Sequence, residues 1–155
     1  MTQRVQLPDP RVTIAGAVDL DLTPTGVTPR RMASAYRFQL PMEVEFLASS
    51  PSGVRLRFAT DSTTVGLELL ATHLAVGEAL YAGALDCVVD SDLVATHAFR
   101  EGNVVTVDPD RGDFNFAPGE PVTLSFDVPA AAGVIELWLP SNSIVEVRAV
   151  VIDDG

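Results

Sequence analysis

The chain has 155 residues, 47% of them hydrophobic, which predicts one globular domain over residues 1–155 that buries about 70% of the surface exposed by the unfolded chain. Its 21 acidic and ten basic residues give a net charge of −11, and such a surface repels phosphate backbones, so nucleic acid is not expected as a partner. No apolar run approaches the ~18 residues of a membrane-spanning helix, so we expect no membrane association. No secretory signal follows Met1, so a cytoplasmic location is the default expectation, and secretion stays open if a leader precedes this sequence.

Apolar and polar residues alternate with a period of two along most of the chain, which is typical of β-strands. Residues 12–22 form the first predicted strand. The stretch 23–31, with two prolines and a glycine, is predicted as a turn-rich loop. Residues 46–48 are predicted as a short strand. The clearest strand runs over residues 54–59, and another follows over residues 64–71.

The middle of the chain is less regular. Residues 73–85 are rich in alanine but contain two glycines, so they are predicted as a loop or one helical turn. Strands are predicted next at 87–90, at 93–99 and at 103–107. The stretch 108–121 is the longest predicted loop.

The end of the chain predicts three more strands. The first covers residues 122–128, and the last two, at 134–139 and 145–151, are predicted to form a hairpin around a turn at 140–143. About eight or nine short strands without βαβ alternation predict an all-β fold. We therefore expect an antiparallel β-sandwich with jelly-roll or Greek-key topology.

Residues for nucleophilic catalysis are sparse. The chain has two histidines, His73 and His97, one cysteine, Cys87, and no Gly-x-Ser-x-Gly motif. Cys87 has no disulfide partner and is expected to be a small buried side chain. Each histidine is expected at a loop or strand edge without a function, and a thiol triad of Cys87 and His97 with Asp86 or Asp90 is a weak alternative. We predict no catalytic residue.

The acidic loop is a candidate metal site. Asp108, Asp110 and Asp113, with nearby carbonyl groups, have the oxygen ligands that calcium prefers. Arg111 lies among them, and no carboxylate occupies the twelfth position of an EF-hand loop. A structural calcium ion is one interpretation, a solvated acidic turn is the other, and no other cofactor is predicted.

Three strand residues are candidate ligand-binding groups. Trp138 lies on the face of its strand opposite the apolar residues, where an exposed indole can stack on a sugar ring. Arg55 and Arg57 likewise point outward and could pair with acids of a partner. The alternatives are that Trp138 packs against a neighbouring domain and that the arginines lie on a solvated face.

Three stretches of the chain carry a resemblance to a known family. Residues 51–70 (PSGVRLRFATDSTTVGLELL), 87–94 (CVVDSDLV) and 135–155 (IELWLPSNSIVEVRAVVIDDG) resemble the N-terminal β-sandwich domain of certain bacterial SGNH, or GDSL-type, esterases and acyltransferases. Residues 28–31 (TPRR) are similar to the proline-arginine loop of such domains. The ten basic residues are all arginine, which is typical of GC-rich genomes such as those of actinobacteria.

The resemblance implies a jelly-roll module, similar to carbohydrate-binding domains, that packs against an SGNH domain holding the Ser-His-Asp machinery. None of those catalytic segments occurs in this sequence, so no catalytic residue carries over. The implied function is a non-catalytic accessory domain that docks on an SGNH-type catalytic domain, in cis or in trans. It could also bind carbohydrate or the substrate of that domain. Trp138 and the stretch 153–155 are the expected junction. The alternatives are an independent carbohydrate-binding module and a small stand-alone enzyme.

Overall fold

A computed structural model describes residues 2–33, 35, 39, 42–129 and 133–153, so residues 154–155 of the expected junction lie outside the described residues. The described residues form one helix and fourteen strands in two sheets around a shared hydrophobic core, which confirms the predicted all-β sandwich. In chain order the elements are β1 (Thr2–Gln6), β2 (Thr13–Ala15), β3 (Asp19–Leu22), β4 (Val27–Arg30), α1 (Met42–Ser49), β5 (Arg55–Ala59), β6 (Thr64–Val76), β7 (Ala79–Tyr81), β8 (Gly83–Val89), β9 (Asp92–Phe99), β10 (Asn103–Val107), β11 (Phe114–Ala117), β12 (Val122–Asp127), β13 (Val134–Trp138) and β14 (Ser143–Asp153).

The larger sheet has nine strands with β6 and β14 at its centre. These two strands pair antiparallel from Thr64 opposite Asp153 to His73 opposite Ser143. Strands β12, β10 and β7 also pair with β6, and β1 and β4 pair with β14. Strands β11 and β3 lie outside β10 and β4. The β10–β6 pair is parallel, so this sheet is mixed and not purely antiparallel as predicted.

The smaller sheet has the order β2-β5-β13-β8-β9. Its membership shows that the predicted C-terminal hairpin is wrong, because β13 pairs with β5 and β8 whereas β14 pairs with β6 in the other sheet. Residues 140–142 therefore cross from one sheet to the other. The buried faces were predicted correctly, since Ile135, Leu137, Val145 and Val147 are all 0% exposed. Alternation identifies the buried face of a strand but not the strand beside it.

The described strands outnumber the eight or nine predicted, in part because short strands of three or four residues occur where loops were expected. These are β4, β7 and β11. Strand β1 lies at residues 2–6, for which no element was predicted. Residues 73–76 extend β6 instead of forming a loop. Residues 46–48, predicted as a strand, belong to α1, whose sequence MEVEFLAS contains no glycine or proline to oppose a helix. No helix in the described ranges is both long and apolar enough to cross a membrane.

The core between the two sheets should set the stability of the fold. Leu137 of β13 is 0% exposed, so replacing it with alanine leaves a cavity and is expected to cost about 2–5 kcal/mol in the free energy of unfolding. Leu93 of β9 is 63% exposed, and Leu93→Ala should change that free energy by less than about 0.5 kcal/mol. Urea denaturation of both variants measures the difference, and equal losses would contradict this packing.

Candidate functional site

Trp138 lies on the outer face of the smaller sheet, as predicted, but it is not an open platform. On β13 it lies opposite Arg55 of β5 on one side and Asp86 of β8 on the other. The Arg55 guanidinium carbon lies 4.8 Å from the centre of the indole ring, which is half-buried. This cation–π contact covers the indole that a sugar ring would need.

Arg55 is held in this position by two further polar contacts. Its Nε donates a hydrogen bond to Glu136 Oε2 at 3.1 Å, and its Nη1 donates to the carbonyl of Gly53 at 3.3 Å. Arg57 is exposed and lies opposite Glu136 on the neighbouring strand. The structure thus brings all three predicted ligand-binding residues, Trp138, Arg55 and Arg57, to one face and adds Glu136. Sequence alternation predicted that Glu136 points outward on the same side of its strand as Trp138. It did not predict that Glu136 pairs with Arg55.

The indole nitrogen of Trp138 is buried and has no hydrogen-bond partner among the residues that the structure describes. Asp86, across the strand pair, accepts instead from the hydroxyl of Thr96, with 2.6 Å between the oxygens. Buried indole N–H groups usually find an acceptor, and an unmade hydrogen bond of this kind costs about 1–3 kcal/mol. The indole N–H of Trp138 is therefore a donor that remains available to an acceptor.

A small polar cleft of about 280 Å³ continues this face. It is lined by Arg57, Asp90, Ser91, Val134 and Glu136. Asp90 and Ser91 form the turn between β8 and β9 with φ values of 46° and 74°, and the Asp90 carboxylate accepts a hydrogen bond from the Val134 N–H at 2.9 Å. Donors and acceptors of both charges thus lie beside a half-buried indole, an arrangement that suits a hydroxyl-rich ligand.

A larger groove of about 500 Å³ lies against the larger sheet, where Leu20, Leu22 and Ile144 form its apolar lining. Arg30 also lines it but is only 2% exposed. Its Nη1 donates to Glu45 Oε1 of α1 at 2.6 Å, a hydrogen bond that raises the pKa of Arg30. Arg30 therefore anchors α1 to β4, a role that the resemblance of residues 28–31 did not indicate.

The acidic loop satisfies its own backbone. The Asp108 carboxylate accepts from the N–H groups of Asp110 at 2.9 Å and Arg111 at 3.3 Å, and the Asp108 N–H donates to the carbonyl of Asp113 at 2.9 Å. Within the described residues, no three His, Cys, Asp or Glu side chains converge as metal ligands would. Calcium binding by Asp108, Asp110 and Asp113 stays a prediction without support from this geometry.

His73 is not at a loop or strand edge as predicted, but fully buried in β6. Its Nε2 lies 2.9 Å from the carbonyl oxygen of Glu101 and its Nδ1 lies 2.9 Å from the Ser143 hydroxyl. Because a carbonyl only accepts, we assign the proton to Nε2, and Ser143 donates to Nδ1. This histidine–hydroxyl pair joins β6 to β14 and to the turn before β10. Both side chains are 0% exposed, so a substrate cannot reach them.

Cys87 is a fully buried small side chain, which confirms that prediction. Burial raises the pKa of its thiol to about 11. Cys87 lies opposite Ala95, whereas His97 is exposed, lies opposite Leu85 and has its ring centre 4.8 Å from that of Phe126. This placement gives no support to a thiol triad.

The hydrogen bond between His73 and Ser143 should contribute to the stability of the fold. Ser143→Ala leaves His73 Nδ1 buried without a donor and is expected to cost about 1–3 kcal/mol in the free energy of unfolding. Ser141, an exposed residue in the crossover, provides the matched control, and Ser141→Ala should be close to neutral. Chemical denaturation compares the two variants, and an unchanged midpoint for Ser143→Ala would contradict the assigned hydrogen bond.

The burial of Cys87 should make its thiol unreactive in the folded chain. With a pKa near 11 and no exposed surface, Cys87 should resist labelling by a thiol-specific disulfide reagent at pH 8 and should react fully once the chain is unfolded in guanidinium. Absorbance of the released thiolate follows the reaction. Rapid stoichiometric labelling of the native chain would show that the smaller sheet opens readily or that Cys87 is exposed.

These features define the chain first as a two-sheet β-sandwich domain with a half-covered tryptophan face. Over 99% of its length it is similar to the salicylyl-acyltransferase SsfX3 from a tetracycline biosynthetic pathway, with a TM-score of 0.75 and 25% identity, and it spans 40% of that chain. It is also similar to a GDSL-like lipase from Bacteroides ovatus, with a TM-score of 0.61, 12% identity, and coverage of 99% of this chain and 41% of the lipase chain. A third similar structure is the catalytic unit of a GH87 alpha-1,3-glucanase from Streptomyces thermodiastaticus, with a TM-score of 0.51 and 12% identity. That match covers 98% of this chain and 26% of the glucanase chain.

No family model and no curated protein sequence matches the chain. At 12% identity, the lipase and the glucanase show the shared fold alone. The acyltransferase and the lipase agree with the resemblance to SGNH and GDSL enzymes, and this chain spans only about two fifths of each of them. In fold, the chain therefore corresponds to a part of each of these two structures.

Proposed function

We propose that the chain is a non-catalytic accessory β-sandwich domain of an SGNH- or GDSL-type hydrolase, which docks on the catalytic domain in cis or in trans. The observation that supports this most strongly is the asymmetric match, since 99% of this chain aligns with only 40% of the acyltransferase chain. The chemistry of the described residues agrees with it. His73 and Ser143 are buried together, and Cys87 is buried with its pKa raised to about 11.

Ester hydrolysis by the chain alone tests the non-catalytic part of this proposal. The purified chain should hydrolyse p-nitrophenyl acetate no faster than buffer, because the Ser143 hydroxyl beside His73 and the Cys87 thiol are both buried away from a substrate. His97 is exposed, so His97→Ala serves as the variant that would remove any activity at the surface. Hydrolysis that one such substitution abolishes would overturn the proposal in favour of a small enzyme.

An independent carbohydrate-binding module is the second candidate, and the Trp138 face is the observation that favours it. Sugar recognition combines an aromatic surface with donors and acceptors for hydroxyl groups. Trp138 supplies the first, and Arg57 and Glu136 supply the second. Because Arg55 stacks on the indole, a sugar would have to displace Arg55 or bind along the neighbouring cleft.

Trp138 is the chain's one tryptophan, so its fluorescence reports directly on this face. If the module binds sugar, titration with a disaccharide such as nigerose should shift the emission, and Arg55→Ala should strengthen binding by uncovering the indole. Arg148→Ala is the matched control, since Arg148 pairs with Glu146 on the other sheet. Unchanged emission up to millimolar sugar in both the native chain and Arg55→Ala would reject this candidate.

A further inference from the structure

One end of the larger sheet has an outer surface made entirely of apolar and aromatic side chains. Two cross-strand rows run over β7, β6, β10 and β11, and we call them together the apolar ladder. Its residues, one per strand in each row, are Tyr81, Leu74, Val105 and Phe116 in the first row, and Ala79, Val76, Val107 and Phe114 in the second.

The ladder lies on the side of the sheet away from the core. Along the end of β6, burial alternates from one residue to the next. His73 and Ala75 are buried on the inner side, and Leu74 and Val76 are partly exposed on the outer side. Their cross-strand neighbours share that outer side. Phe116 is 59% exposed, Tyr81 48% and Phe114 45%. Three aromatic rings therefore present apolar surface to solvent at the edges of the ladder.

Elsewhere the same sheet face carries charged side chains. Arg4 Nε lies 2.8 Å from Glu68 Oε2, and Arg148 Nε lies 2.6 Å from Glu146 Oε1. The hydrogen bond from Arg4 lowers the pKa of Glu68, so this pair stays charged in neutral solution. Such ion pairs are common on a sheet face that is exposed to solvent. The apolar ladder is thus a local feature and not a property of the whole sheet.

The size of the ladder can be estimated from sheet geometry. Four strands about 4.8 Å apart and two rows about 7 Å apart, with their side chains, cover roughly 250 Å². An interface between two separate proteins buries about 800 Å² on each partner. Contacts between domains of one chain are smaller, about 600–1,500 Å² in total, and the ladder matches the apolar centre of such a contact.

We propose that the apolar ladder is the surface on which the SGNH-type catalytic domain docks, an inference that rests on the proposed function. The matching surface on that domain would be uncharged and would present aliphatic or aromatic side chains to Phe114, Phe116 and Tyr81. The acyltransferase supports this occupant, since three fifths of its chain lies outside the part that this fold spans.

Electrostatics favour this occupant over a second copy of the chain. Two copies would bring two net charges of −11 together across a surface that contains no basic residue to offset them. The apolar ladder would then be buried only in the presence of its partner.

Calorimetric titration with the hydrolase portion of the acyltransferase tests the proposal. That portion, the part of SsfX3 outside the match, is expressed separately, and its folding is verified by cooperative thermal unfolding before use. The native chain should bind it, and Phe116→Ser and Phe114→Ser should each weaken binding at least tenfold. Leu22→Ser is the matched control, because Leu22 is 71% exposed on the opposite edge of the same sheet and should leave binding unchanged.

The possible results of this titration distinguish a failure of the apolar ladder as the docking surface from a failure of the proposed accessory function. Binding that the ladder variants leave unchanged overturns the ladder as the docking surface but keeps the accessory function. An absence of binding overturns both. Sedimentation of the native chain adds a third result, since dimers that Phe116→Ser dissociates would show that a second copy occupies the ladder and would overturn the proposed occupant.

Discussion

The pairing of β6 with β14 is the constraint on which the rest of the fold depends. These strands of 13 and 11 residues pair from Thr64 to His73, with one irregularity between Val147 and Ala149. Every other strand of the larger sheet pairs with one of the two or lies one strand further out. Because β14 directly follows β13 of the smaller sheet, the same pairing also fixes how the two sheets are joined.

The end of that pairing separates the core from the candidate docking surface. At His73 and Ser143 a buried polar pair closes the contact between the two long strands, and β6 continues to Val76 beyond the start of β14. There β7 replaces β14 as the neighbour of β6, while β10 and β11 extend the other side. The apolar ladder occurs where the sheet extends past this polar pair. The buried polar pair and the proposed docking surface therefore lie on different parts of one long strand.

Local alternation was enough to predict the sandwich and most of its buried faces, as in β5, β12 and β13. It failed where the outcome depended on residues far away in the chain. Whether β13 and β14 pair with each other is decided by β5 and β6, and whether His73 can enter the core is decided by Ser143 and the Glu101 carbonyl. A histidine in an alanine-rich stretch with two glycines gives no local sign of those partners.

The candidate site shows the same division. The outward direction of Trp138, Arg55 and Arg57 follows from the two-residue period, but sequence did not predict that β5 and β13 pair and so bring them to one face. The stacking of Arg55 on the indole and its pairing with Glu136 depend on the register between β5 and β13, which sequence did not specify. The ladder was missed because its four strands include β7 and β11, which were predicted as loops.

Hydrogen–deuterium exchange of the chain, alone and bound to an SGNH-type catalytic domain, tests the account most directly. If the chain is an accessory domain that docks through the apolar ladder, amides of β7, β10 and β11 should become protected on binding, while those around Trp138 in β5 and β13 should exchange as before. Protection confined to the Trp138 face, or none in either region, would contradict it.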